Sequence, residues 1–541
     1  MLIRTHIRPT FVRVSLVRMA TGFVACVLIF SPLGLAFENN QTRVAGDPRQ
    51  IVKAADKLIL KGNLIEAERI LRAGLVETPA DVNLKLKLAF ALMKMRVLGE
   101  AYTLSFEVAK ANNENSQAFA VLGAVLLTAG RFNDARSILS QSLRLNRANS
   151  LALATFGLLE FYENRINLSL DYLAEANFQD TDNPDFIFSY AQVAARSERY
   201  KEAANAYKKF LIYSRDADDD RRARIRGLIN FLEYLGAVTS LYSISGTSTS
   251  TVPIELRGNR PVITLRVNGK PNPLRFVLDT GSGISVISNE TAKRLRIRTV
   301  ARGGHAKGIG GDGKFEIVYG FLRDVSIGDM KIRNVPVYIR EFHQNVHGID
   351  GYIGISLISK FLTTVDYGSR EFTLARFDGQ PTADPAGKDL SLPLRLTSSG
   401  FLSGEVVMEG MTEPLNFIVD TGASVSVVAE TVARREPISL LPRSEKLRVI
   451  GSAGITENVD AFILPKISFG EHSREQVTAI ALDLEIINDA SGFEQSGILG
   501  GNFFLNFKMT FDFRNSRLLF APAKPVPAEI TPQPNEIKSL Y

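Results

Sequence analysis

Two short segments carry the residues best suited to chemistry. Arg275-Phe-Val-Leu-Asp279-Thr-Gly-Ser-Gly-Ile-Ser-Val-Ile and Asn416-Phe-Ile-Val-Asp420-Thr-Gly-Ala-Ser-Val-Ser-Val-Val match position by position. In each, an apolar run delivers one carboxylate, Asp279 or Asp420, to a drier floor, and Gly281 or Gly422 permits the tight turn that close approach needs. Two carboxylates about 3 Å apart cannot both ionise comfortably, so they share one proton. The ionised member then acts as general base toward water while the protonated one polarises a carbonyl. A single Asp-Thr-Gly is ordinary hairpin-turn material, and a chain of this length holds a chance copy with probability ~0.1. A turn does not account for apolar pairs before and an alternating apolar run after, twice.

The duplication continues downstream. Gly351-Tyr-Ile-Gly354 and Gly497-Ile-Leu-Gly500 follow their aspartates at similar distances, and each second glycine is followed twelve residues later by an aspartate, Asp366 or Asp512. The elements that position these residues read as strands. Pro261 to Lys270 and Leu274 to Leu278 alternate around an Asn-Gly turn, and the same grammar runs to Phe520, broken only by a Gly/Pro/Asp-rich stretch.

This half resembles the pepsin and retropepsin superfamily of aspartic peptidases, over about residues 253 to 522. Each lobe carries the hydrophobic-hydrophobic-Asp-Thr-Gly-Ser/Ala motif and the later hydrophobic-hydrophobic-Gly motif. The resemblance implies an all-β, two-lobed pseudo-dimer that hydrolyses a protein or peptide substrate in the cleft between lobes, with no cofactor and no metal. It implies Asp279 and Asp420 as the catalytic pair, supported by Thr280, Gly281 and Ser282 in one lobe and Thr421, Gly422 and Ala423 in the other. In the family the threonines bond across the lobe boundary. Ser282 against Ala423 suggests a division of labour: a hydroxyl donating to Asp279 would make it the base and leave the proton on Asp420.

Gly308-Ile309-Gly310-Gly311-Asp-Gly313 fits a dinucleotide-binding pattern, but a strand-like segment follows it where that motif needs a helix. A mobile Gly-rich hairpin, similar in place to the family's flap, fits better, and Gly451 and Gly454 in Val449-Ile-Gly-Ser-Ala-Gly-Ile form its counterpart. Neither hairpin carries the tyrosine common in pepsin flaps. His343 and His347 lie in a polar loop with no third metal ligand in view.

Ahead of the strands, residues 48 to about 217 repeat every 34 residues. Ala67, Ala101, Ala135, Ser169 and Ala203 stand in one register, Ala55, Ala89, Gly123, Gly157 and Ala191 in a second, and Leu71, Ser105, Leu139, Leu173 and Tyr207 in a third. Small residues at fixed positions let antiparallel helices approach closely, and larger ones fill between pairs. The pattern resembles about five tetratricopeptide repeats, without their usual Trp, and implies a protein partner on the array. The fold class expected is therefore multidomain: an all-α helical-repeat solenoid, then an all-β two-lobed domain.

Arg4, Arg8, Arg13 and Arg18 precede an apolar run from Ala20 to Phe30 and the small residues Gly34 and Ala36, the grammar of an export signal. Two readings stay open: cleavage after Ala36, or an uncleaved anchor from Met19 to Phe37. Either places the rest outside the cytoplasm, in the periplasm or medium, held at the inner membrane only if uncleaved. Without that segment, 60 Lys+Arg face 57 Asp+Glu, which argues against nucleic acid as a partner. Cys26, inside the signal, is the single cysteine.

The expected boundaries are a signal over 1–36, repeats with a capping helix over 48–236, a Ser/Thr-rich linker over 237–252, and a first lobe over 253–377. An inter-lobe linker over 378–389, a second lobe over 390–522 and a Pro-rich tail over 523–541 complete the chain. Two alternatives remain at this stage: a catalytically silent scaffold of the same fold, and lobes that pair with those of a second chain.

Overall fold

The computed structural model describes residues 47–214, 219–238, 240–311, 314–342, 348–377, 391–444 and 446–523. The export segment, the inter-lobe stretch from 378, His343, His347 and the Pro-rich tail from 524 lie outside the described residues.

Five helix pairs come first: α1 (Pro48–Leu60) with α2 (Leu64–Glu77), α3 (Val82–Lys94) with α4 (Leu98–Ala111), α5 (Ser116–Thr128) with α6 (Phe132–Leu145), α7 (Ser150–Tyr162) with α8 (Ile166–Gln179), and α9 (Pro184–Arg196) with α10 (Tyr200–Tyr213). A longer helix, α11 (Asp219–Ala237), closes the stack. The first helix of every pair starts behind an Asp or Asn whose side chain accepts a first-turn N–H: Asp47, Asp81, Asn115, Asn149 and Asn183. The small residues sit where helices touch. Ala67, Ala101, Ala135, Ser169 and Ala203 are fully buried, and a methyl on Gly123 or Gly157 would lie 2.5 Å or 2.7 Å from the facing Leu139 or Leu173.

Each lobe then builds the same motif around its Asp-bearing strand. Leu274–Leu278 pairs antiparallel with Arg260–Val267 and parallel with Gly351–Ile353, and Leu415–Val419 pairs antiparallel with Leu402–Met408 and parallel with Gly497–Leu499. The repeated glycine is a close-approach residue. A side chain on Gly351 or Gly497 would meet the ring of Phe276 or Phe417 at 2.2 Å.

A six-stranded sheet joins the lobes, in the order 391–393, 517–522, 507–512, 362–366, 371–375, 249–253. At its centre Leu362–Asp366 pairs with Phe507–Asp512, so the lobes of one chain pair with each other. The aspartates that follow the second glycines end hairpins here: Asp366 accepts from the N–H of Gly368 and Ser369, and buried Asp512 accepts from Asn515 and Arg517.

Within the span 237–252, expected to be a linker, residues 243–246 and 249–252 form strands instead. Ser243–Gly246 pairs with the strand Met330–Arg340, and Thr249–Pro253 forms the edge of the six-stranded sheet. Its Ser/Thr content hides an alternation in which Ser250 and Val252 point inward while Thr249, Thr251 and Pro253 face out.

The array is also not held apart from the lobes. The turns inside successive pairs reach the same left-handed conformation at a 34-residue spacing, at Gly62, Arg96, Gly130, Asn164 and Glu198. The last four touch the β half. Arg96 donates to the Asn488 carbonyl, the Gly130 carbonyl accepts from Asn416, Asn164 donates to the Phe513 carbonyl, and Glu198 pairs with Lys360. Phe493 of the second lobe is fully buried in the helical core, 4.9 Å from Phe132 and 5.0 Å from Tyr162. A chain beginning at Val252 exposes this interface and loses most of an edge strand. It should fail to give a cooperative thermal transition or a monomeric elution peak, and a stable monomer with a sharp transition would contradict this account.

Candidate active site

The structure brings Asp279 and Asp420 together. Each sits one residue beyond its central strand, and its backbone N–H is tied to the neighbouring parallel strand, Asp279 to Ile353 and Asp420 to Leu499. Behind them the two threonines interlock across the lobe boundary. Thr280 Oγ1 donates to the Val419 carbonyl at 2.6 Å, Thr421 Oγ1 donates to the Leu278 carbonyl at 2.7 Å, and each hydroxyl accepts the other's backbone N–H at 3.0 Å or 3.2 Å. Both threonines are buried, so these bonds have no water competing for them.

The glycines that follow are held to close quarters. A Cβ on Gly281 would fall 2.5 Å from the Asp420 Cγ, and one on Gly422 would fall 2.7 Å from the Asp279 Cγ. Their N–H groups donate to the preceding carboxylates, Gly281 to Asp279 at 3.0 Å and Gly422 to Asp420 at 2.7 Å. Serines at the same place in both copies, Ser285 and Ser426, accept the N–H of Gly354 and Gly500 at 3.1 Å and lock the carboxylate loop to the glycine motif. The matched segments show both serines in sequence, but nothing in sequence assigns them that bond.

Burial pushes both carboxyl groups above the usual range, and the two share a hydrogen bond. Asp279 rises further, from burial first and then from the charge of Asp420. Asp420 is steadied in its ionised form by backbone N–H groups of Gly422, Gly281 and Ala423. The Ser282 hydroxyl, expected to donate to Asp279, is engaged elsewhere and so does not decide which of the pair carries the shared proton. That hydroxyl donates to the Ile284 carbonyl at 2.8 Å and braces its own loop.

Each lobe also carries a Gly-rich hairpin. Thr299–Lys307 with Lys314–Ile327 forms the first, Leu447–Ile450 with Ile455–Val459 the second, and their tips meet. Ala453 N–H donates to the Ile309 carbonyl at 2.8 Å and Gly311 N–H to the Ile455 carbonyl at 3.1 Å, while Ser452 Oγ accepts from Ile309 N–H. Gly310 and Gly451 let the tips cross: a Cβ on Gly310 would lie 2.2 Å from the Gly454 carbonyl oxygen, and one on Gly451 would lie 2.2 Å from that of Ile309. Gly308 lies against Ser452 and Ala453 in the same contact.

The first hairpin is backed by the helical array, which sequence reasoning missed. A Cβ on Gly227 of α11 would lie 2.1 Å from the Arg302 carbonyl oxygen, and Phe231 stacks on Tyr319 at 4.3 Å. Nothing in sequence ties a helix glycine to a strand in another domain.

Among the described residues no group of His, Cys, Asp and Glu is arranged to hold a metal ion. The carboxylate pair itself makes a stability prediction. A carboxyl raised in the folded state contributes stability that is fully present below its unfolded pKa, about 3.9, and is lost as pH rises through the folded value. Wild-type protein should thus lose stability between acid and neutral pH, and Asp279→Asn should remove much of that loss. Thermal melting of both proteins from pH 3 to 8 checks this, and parallel curves would contradict it.

The family model described as "Aspartyl protease" matches residues 263–357 and 404–503, one segment per lobe. Among solved structures, the aspartic proteinase of Irpex lacteus is 14% identical, with 51% of this chain and 97% of that one aligned and a TM-score of 0.36. A thermophilic TPR protein of Thermus thermophilus is 20% identical, with 34% of this chain and 99% of that one aligned and a TM-score of 0.30. No curated protein matches the chain. The β-rich half of this chain is a two-lobed, aspartyl-protease-like domain carried behind tetratricopeptide-like repeats.

Proposed function

We propose that this protein is an exported aspartic-type endopeptidase. The observation that carries the reading is the buried carboxylate pair on interlocked loops, with one proton shared between Asp279 and Asp420. A water held between the carboxylates is activated by the ionised member of the pair, and the proton on the other polarises the scissile carbonyl. Attack gives a tetrahedral intermediate directly, and its collapse returns a proton to the leaving amine without an acyl-enzyme. Substrate enters once the tip-to-tip hydrogen bonds open. Export rests on the four arginines and the apolar run ahead of Ala36.

The array has two parts in this reading. Its turn edge and α11 hold the second lobe and the outer strand of the first hairpin, and its remaining surface receives a protein substrate or regulator. Binding there reaches the hairpin through α11, because Gly227 leaves no slack between helix and strand.

Hydrolysis of a peptide library by purified protein tests the reading. Asp279→Asn and Asp420→Asn should each lower kcat/KM by on the order of 10²–10⁴, and the double variant should be scarcely worse than either. Substantial activity in either single variant would overturn the shared-proton mechanism.

A further inference from the structure

The pseudo-symmetry of the cleft fails in its charge. A cavity of about 700 Å³ lies on the first-lobe side, roofed by Phe315 of the first hairpin and by Ser452 and Ala453 of the opposite tip. Its counterpart of about 600 Å³ lies on the second-lobe side beneath the first hairpin's tip, Gly308 to Gly311. The two occupy equivalent places, each walled by the short helix that follows the carboxylate loop and by the end of the strand paired beside it.

At that strand end the lobes differ. Ser288 pairs with Arg340 in the first lobe, and Ala429 pairs with Leu482 in the second. Arg340 thus stands where the other lobe has a leucine. Its guanidinium lies 5.0 Å from the Phe315 ring and 5.9 Å from that of Phe342, and its Nε is buried with no hydrogen-bond partner. A buried cationic donor left without an acceptor is destabilising unless something supplies one. The first-lobe cavity adds Lys293, Arg296 and Arg302 against Glu316 and Glu341, and Glu316 is already paired with Arg302. Acidic side chains outnumber basic ones on the second-lobe cavity, where Glu430, Glu457, Asp460 and Asp483 face Arg434 and Arg443.

We propose that the first-lobe cavity is the subsite for an acidic side chain of the substrate, whose carboxylate is received by Arg340. The assignment rests on the peptidase reading and adds a substrate class to it. The acid is accepted on one side of the scissile bond only, because Leu482 offers no charge on the other. The same asymmetry fixes the direction in which a peptide lies across two nearly equivalent carboxylates. Arg340 lies over Phe342, whose ring packs 5.2 Å from that of Tyr352, the neighbour of Ile353 whose carbonyl accepts the Asp279 N–H, so the specificity group and the reacting group are joined by direct packing.

The test uses the full-length protein and peptides whose scissile amide is reduced to a methylene-amine, so that they bind without being cut. Pairs differ only by Glu or Gln at each position flanking that bond. Glu should bind about tenfold tighter than Gln, at a position on one side only. Arg340→Leu, which copies the second lobe, should erase the preference, and Arg340→Gln serves if that variant does not fold. Equal binding of Glu and Gln everywhere, or a preference that survives both variants, overturns the assignment. Ordinary amide versions of the same peptides separate the two readings. The binding preference without cleavage overturns the peptidase reading and supports the subsite, whereas cleavage without the preference overturns the subsite alone.

Discussion

The close approach of two loops from opposite lobes is the constraint on which the rest of the site depends. At Gly281 and Gly422 a methyl group would run into the carboxylate of the other lobe, so nothing larger than hydrogen fits. Four hydrogen bonds through Thr280 and Thr421 hold the loops at that distance, and all four are buried. Losing one leaves a buried donor or acceptor unpaired, which costs about 1–3 kcal/mol. That penalty keeps the loops from drifting to a separation at which each carboxyl would ionise independently. The raised proton affinity of the pair is therefore a product of position, set by backbone geometry outside the carboxyl groups themselves.

The same economy of contact extends outward from the site. The six-stranded sheet makes the lobes one body through Leu362–Asp366 and Phe507–Asp512, and a side-chain bond between Thr364 and Thr510 at 2.9 Å lies along that seam. The array then braces this body by an edge. Repeats with one period present one turn per unit, so four successive turns meet the lobes with the same backbone conformation. Because α11 lies against the first hairpin, the repeats are mechanically joined to it.

The dyad, the repeats and the all-β character were legible in sequence because each rests on a strict period or a duplicated motif. The buried registers at Ala67, Ala101, Ala135, Ser169 and Ala203 follow from spacing alone. Contacts made by single residues were not legible. Residues 249–252 read as linker because their inward residues are only Ser250 and Val252, and polar alternation resembles flexible composition. Ser282 was assigned to Asp279 by adjacency, yet the turn carries its hydroxyl to Ile284 two residues on. Phe493, Asn164 and Gly227 are ordinary in composition, and only the assembled fold shows them crossing between array and lobes. Arg340 was silent for the same reason, since its meaning depends on Leu482 at the matching place in the other lobe.

Intrachain pairing of Asp279 with Asp420 is the central claim, and one mixing experiment addresses it most directly. Purified Asp279→Asn protein and purified Asp420→Asn protein are combined over a range of concentrations and assayed for peptide hydrolysis beside wild type. If each chain builds its own pair, every molecule in the mixture lacks one carboxylate, and the mixture stays as inactive as its components while wild type hydrolyses peptide. Recovery of activity that grows with protein concentration would mean that intact lobes pair between chains, and it would contradict the account.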